Sequence, residues 1–125
     1  MTDLHTAIRE KFQAAGRILI LSHIRPDGDA IGSMLALGLA LQDAGKQVQM
    51  VLSDGLPAAF KHLPGAEQIR TQAEGEFDLI VTVDCSDLAR TSSPLPPGRQ
   101  PDIVIDHHIT TAAFGGLNLI DPNAA

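Results

Sequence analysis

Short aliphatic runs recur along the chain at intervals that leave room for helices between them. Ile18-Leu19-Ile20-Leu21-Ser22, Val48-Gln49-Met50-Val51-Leu52, Leu79-Ile80-Val81-Thr82-Val83 and Ile103-Val104-Ile105 form four such runs, and Leu117 to Ile120 is a fifth candidate. Continuous rather than alternating apolar sequence predicts strands covered on both faces. Ahead of the first run, Thr2 to Ala15 places Leu4, Ile8 and Phe12 four apart and stops at Gly16, a short amphipathic helix with Thr2 and Asp3 as cap candidates. After the first run, Asp29 to Ala44 is apolar on most sides and ends at Gly45-Lys46, which predicts a buried helix with a glycine stop. Gly32 and Gly38 inside that helix each cost about 1 kcal/mol relative to alanine, and close approach of helix to sheet is the expected reason. Ala58 to Arg70, around Leu63-Pro64-Gly65, is weakly patterned and predicts short helices joined by turns. The prolines of Ser92-Ser93-Pro94-Leu95-Pro96-Pro97-Gly98 deny that stretch regular structure.

Buried strands alternating with helices predict an α/β protein with a Rossmann-like, doubly wound parallel sheet of about five strands. At 125 residues the chain has room for one domain, burying roughly two-thirds of its extended surface. Its 44% hydrophobic and 19% charged residues exclude disorder. The longest nearly apolar run, Ile31 to Leu41, falls well short of the roughly 18 residues needed to cross a bilayer, so no membrane span is expected. The N-terminal MTDLHTAIREKF lacks the basic and apolar regions of a secretory signal, and Cys85 is the only cysteine. A lone cysteine rules out an internal disulfide and argues against a thiolate zinc cluster, and these features favour the cytoplasm. The net charge is −6, which leaves no basic field for gripping long nucleic acid. A phosphate substrate would need positive charge from another source.

In parallel α/β sheets, ligands bind outside the carboxyl ends of the strands. The polar residues cluster there. His23-Ile24-Arg25-Pro26-Asp27-Gly28-Asp29 follows the first strand, Asp84-Cys85-Ser86-Asp87 the third, and Asp106-His107-His108 the fourth. Taken singly, each has an ordinary explanation: Pro26-Asp27-Gly28 is a turn sequence, and Asp29 is a helix N-cap. Their coincidence at three strand ends points instead to one oxygen-rich site with a minority of imidazoles, which suits manganese, magnesium or iron better than structural zinc. Two divalent ions would raise the charge around Asp27, Asp29 and Asp84 by four and let an acidic protein hold a phosphate.

The set His23-x-x-Pro26-Asp27-x-Asp29-Ala30, Asp84 and Asp106-His107-His108 resembles the DHH phosphoesterase superfamily. That group includes manganese-dependent inorganic pyrophosphatases, single-strand exonucleases, cyclic-dinucleotide phosphodiesterases and nanoRNases. Pro26-Asp27-Gly28-Asp29-Ala30-Ile31-Gly32-Ser33, Phe60-x-x-Leu63-Pro64-Gly65, Phe114-Gly115 and Asp121-Pro122 are most similar to the nanoRNase branch, bifunctional oligoribonucleases and pAp phosphatases, although Thr111 stands where that branch often has asparagine. The resemblance implies one metal on His23, Asp27 and Asp84, and a second on Asp29, Asp84 and His107, with Asp84 bridging. It implies two divalent cations, manganese with magnesium as the alternative, and an activated water as nucleophile. His108 would lie beside the substrate phosphate and Asp106 would orient the adjoining histidines. Cys85 and Ser86 would be structural.

Family members carry a further aspartate motif downstream and a C-terminal substrate-binding domain, neither of which is present in residues 1–125. The expectation is therefore an incomplete DHH domain whose parent is a two-domain, often dimeric protein acting on short oligoribonucleotides or a nucleoside bisphosphate. Inorganic pyrophosphatase and a non-catalytic nucleotide-binding relative are the competing readings. Arg90, and less so Arg25, are candidate phosphate contacts, whereas His5 and His62 fall in surface contexts.

Overall fold

The computed structural model describes residues 2–22, 28–83, 101–106 and 117–120. Helix α1 (Thr2–Ala14) leads into strand β1 (Arg17–Leu21), which is followed by helix α2 (Gly28–Asp43) and strand β2 (Gln47–Val51). Two single 3-10 turns, Ala58–Phe60 and Ala66–Gln68, precede a two-residue strand β3 (Ile69–Arg70). Strands β4 (Leu79–Val83), β5 (Ile103–Asp106) and β6 (Leu117–Ile120) complete the sheet.

All neighbouring strands are parallel, in the order β3-β2-β1-β4-β5-β6. That is the 3-2-1-4-5-6 order of nucleotide-binding α/β sheets, in which the chain fills one side of β1 and then crosses to the other. The sheet has six strands rather than the expected five. The additional one, β3, arises where short helices alone were predicted: Ile69 and Arg70 add to Met50 and Val51, and the Leu52 amide donates to the Arg70 carbonyl at 2.8 Å.

Burial follows from the alternation of side chains along the central strands. Ile18 and Ile20 of β1, Leu79, Val81 and Val83 of β4, and Ile103 of β5 share a core with Ile8 of α1 and Ile31, Met34, Leu35 and Leu41 of α2. Leu4 and Phe12, the other members of the four-residue stripe on α1, pack against it. Leu19, Leu21, Val51 and Ile80 form a second cluster, with Ala73 and Phe77 against it. The strands are thus apolar on both sides because both sides are covered, as their continuous apolar sequence requires.

Glycine closes α2 as expected. Gly45 lies at φ 87°, its amide donates to the Gln42 carbonyl at 2.9 Å, and the Lys46 amide donates to the Leu41 carbonyl at 3.0 Å. These are the paired bonds of a Schellman ending, which satisfy carbonyls that the helix leaves open. A Cβ on Gly38 would run into the Met50 side chain, lying 3.1 Å from its Cγ, so α2 does approach the sheet closely there. Gly32 is different: it is exposed, and a Cβ there would meet nothing within 4 Å, so helix–sheet packing does not explain it.

Carboxylates hold the amino edge of the sheet. Asp78 Oδ2 accepts from the amides of Gly16 and Arg17 at 2.8 and 2.9 Å, and Asp102 Oδ2 accepts from the Ile80 amide at 2.8 Å. The bonds from Arg17 and then Gly16 hold the Asp78 carboxyl below its ordinary value. A depressed folded-state pKa stabilises the fold above the unfolded-state value of about 3.9, and that contribution is lost as pH falls through the folded value. Asp78→Asn should therefore be less stable than the wild type at neutral pH, and the gap should close as pH falls below about 4. Urea midpoints measured across that range test this, and parallel pH curves for the two proteins would show that the clamp contributes nothing.

Candidate functional site

The strand order decides which sequence motifs meet. Strands β1, β4 and β5 are consecutive neighbours, with Leu21 opposite Thr82 and Val83 opposite Ile105. Their carboxyl ends, from which the chain goes on to His23, to Asp84 and to His107, therefore lie side by side. The space between β1 and β4 is also the point at which the strand order changes direction, where open α/β sheets bind ligands.

Of the predicted site residues, the described structure includes two. Asp29 is exposed in the first turn of α2. Because that helix begins at Gly28, Asp29 is its second residue, and the simple N-cap explanation does not hold. A carboxylate in a first turn interacts favourably with the positive end of the helix dipole. Asp106 is the last residue of β5 and only 6% exposed. Ile103 belongs to the core beneath α1 and α2 and Ile105 packs against it, so alternation puts Asp106 on the opposite face of the sheet. His23, Asp27, Asp84, Arg90, His107 and His108 lie outside the described residues, as do Arg25, Cys85, Ser86, Thr111 and the Ser92–Gly98 segment.

Two polar side chains that the motifs did not single out stand at the same strand ends. Ser22, fully buried, donates from Oγ to the Val83 carbonyl at 2.7 Å. Thr82 is also fully buried, and among the described residues its hydroxyl has no hydrogen-bond partner. It alternates with Val81 and Val83, which places it on the same face as Ile80 and, one strand over, Asp106. In sequence, Ser22 and Thr82 read as ordinary ends of apolar strands. A burial pattern with the hydroxyl as the odd member was the signal available.

Among the described residues, no group of three or more His, Cys, Asp and Glu side chains is close enough to hold a metal. The donors that are described near the strand ends, the Asp29 and Asp106 carboxylates and the unpartnered Thr82 hydroxyl, are all oxygen. Oxygen donors of this kind suit hard divalent cations. The exposed His62 lies in the turn after Phe60, and the exposed His5 borders a groove of about 420 Å³ with Ile8, Phe12, Leu41 and Lys46.

A parallel sheet in this order defines a Rossmann-like α/β protein. Residues 17–125 match the DHH family, N-terminal domain, and the chain belongs to that family. It is 36% identical over 112 residues to the bifunctional oligoribonuclease and PAP phosphatase NrnA of Thermus thermophilus, an alignment covering 88% of this chain and 33% of that protein. It superposes with a TM-score of 0.85 on the crystal structure of an exopolyphosphatase-related protein from Bacteroides fragilis, with 29% identity, covering 99% of this chain and 40% of that one. The chain thus spans about a third of the length of its curated relative. Among the described residues no helix is long and apolar enough to cross a membrane.

Proposed function

We propose that the full-length protein is a metal-dependent phosphoesterase that hydrolyses short oligoribonucleotides and pAp. The observation that carries this reading is the adjacency of β1, β4 and β5, from which three motifs remote in sequence leave the sheet at neighbouring points. The identity to a protein named for those two activities supports the substrate class. His23, Asp27 and Asp84 would hold one divalent cation, and Asp29, Asp84 and His107 a second; manganese is the proposed metal. Bound there, the cations would supply Lewis acidity and lower the pKa of a water nucleophile. Asp106 would orient the neighbouring histidines, as carboxylates behind metal ligands commonly do. His108 and Arg90 would contact the substrate phosphate, and a second domain would exclude solvent and select the substrate. We further propose that the full-length protein works as a homodimer in the cytoplasm.

A second reading, hydrolysis of condensed phosphate such as pyrophosphate, is favoured by the exopolyphosphatase-related description of the structural neighbour. The two readings separate in one experiment: manganese-dependent hydrolysis of a ribodinucleotide, pAp and pyrophosphate, in parallel, by residues 1–125 and by the protein carried to its natural stop codon. The expected result is that the long form cleaves the dinucleotide and pAp while the 125-residue chain turns over little. Turnover of pyrophosphate alone would retain the metal site and overturn the substrate assignment. Manganese binding with no turnover of any substrate would favour a nucleotide-binding role.

A further inference from the structure

Among the described residues, the carboxyl edge of the sheet contains a side-chain bond that the ladder itself does not supply. Strands β1 and β4 pair from Ile18 opposite Leu79 to Leu21 opposite Thr82, and β1 ends there. Beyond that pair, the side chain of Ser22 takes over, its Oγ donating to the Val83 carbonyl at 2.7 Å in a fully buried setting. The bond joins residues 61 apart in sequence, and each partner is the last described residue before a proposed metal ligand, His23 after Ser22 and Asp84 after Val83.

From this geometry we infer that Ser22 is a positioning residue for the metal site. Its hydroxyl fixes the separation of the two strand ends at the switch point and so sets the spacing between the backbone positions from which His23 and Asp84 depart. The inference rests on the assignment of those two residues as ligands of a shared cation. A metal site tolerates little slack between ligands on different strands, and partners one step behind the ligands typically change affinity or activity by 10- to 100-fold when removed. Ser22 exerts its effect through the backbone. It does not contact the substrate, so its loss should leave substrate KM in place while weakening the metal.

The test uses the full-length protein with Ser22→Ala, Ser22→Cys and, as a control, Ile18→Val, which trims an equally buried side chain at the amino end of the same strand. Manganese affinity by titration, and kcat and KM for pAp at saturating and limiting manganese, are the readouts. Ser22→Ala should weaken manganese binding about tenfold. It should also lower kcat at limiting metal, with KM for pAp unchanged and partial recovery at high manganese. Ser22→Cys, whose thiol is a weaker donor of similar size, should fall between Ala and wild type. Ile18→Val should lose stability and keep wild-type metal affinity. Wild-type affinity in Ser22→Ala, or equal weakening in Ile18→Val, would overturn the inference and leave the ligand assignment standing. A wild-type protein that binds no manganese would overturn both, and is recognised before any variant is compared.

Discussion

Asp84→Asn is expected to remove both cations and to lower turnover about a thousandfold or more, whereas Asp27→Asn should remove only one. The difference follows from charge. Two unit charges 4 Å apart repel by about 4 kcal/mol at an effective dielectric of 20, and two divalent ions repel four times as strongly. A carboxylate shared between them offsets that repulsion for both at once. Asparagine would keep the shape and one oxygen but remove the charge, so under the proposed assignment neither ion would retain a bridging anion. Strand order supports giving this role to Asp84: β4, which it follows in sequence, lies between β1 and β5, the strands that His23 and His107 follow. Metal content per chain, measured by elemental analysis alongside turnover in the full-length protein, distinguishes the variants. Loss of a single ion in each would end the bridging assignment.

Gly65→Ala should cost about 2–3 kcal/mol, the sum of two separate penalties. Gly65 sits at φ 83°, a left-handed conformation that disfavours any residue with a Cβ by about 1–2 kcal/mol. A Cβ there would also lie 2.8 Å from Leu39 Cδ2 and 3.2 Å from Cδ1, so α2 and the turn after Pro64 would be pushed apart. Leu39 is half-buried and can yield in part, which keeps the packing penalty near the lower end of the usual range for overpacking. Gly45→Ala provides the comparison, since Gly45 has φ 87° and nothing within 4 Å of an added Cβ. Chemical denaturation of both variants should show the larger loss for Gly65→Ala. Equal losses would mean that Leu39 moves aside freely and only the backbone conformation matters.

The elements that could be read from the sequence are those whose determinants are local or periodic. Leu4, Ile8 and Phe12 announce α1, Gly45-Lys46 ends α2, and the unbroken aliphatic runs give β1, β2, β4, β5 and β6 within a residue or two. Strand β3 was not legible because two residues cannot display a period; Ile69 and Arg70 are strand only because Met50 and Val51 offer them a ladder. The motifs placed the candidate chemistry after strand ends, and the parallel order β1-β4-β5 sets the carboxyl ends of those three strands side by side. Ser22 stayed hidden for a different reason. A serine closing an apolar strand looks the same in sequence whether its hydroxyl meets solvent or a carbonyl 61 residues away. Gly32 shows the opposite failure, a glycine whose cost suggested packing where the structure leaves open space.

The position of β1 at the centre of the sheet has a consequence for synthesis on the ribosome. Its first partner, β2, is separated from it by a single helix, so β1, α2 and β2 can assemble as soon as residue 51 emerges. Its second partner spans residues 79–83 and arrives much later. During that interval one side of Ile18-Leu19-Ile20-Leu21 is an unpaired, wholly apolar strand edge, the kind of surface on which nascent chains associate with one another. The docking of β4 removes this hazard, because it closes the exposed side of β1 and brings the Val83 carbonyl to Ser22. Slowing translation ahead of residue 79 should lengthen the vulnerable period, during which holdase chaperones would find a target in β1.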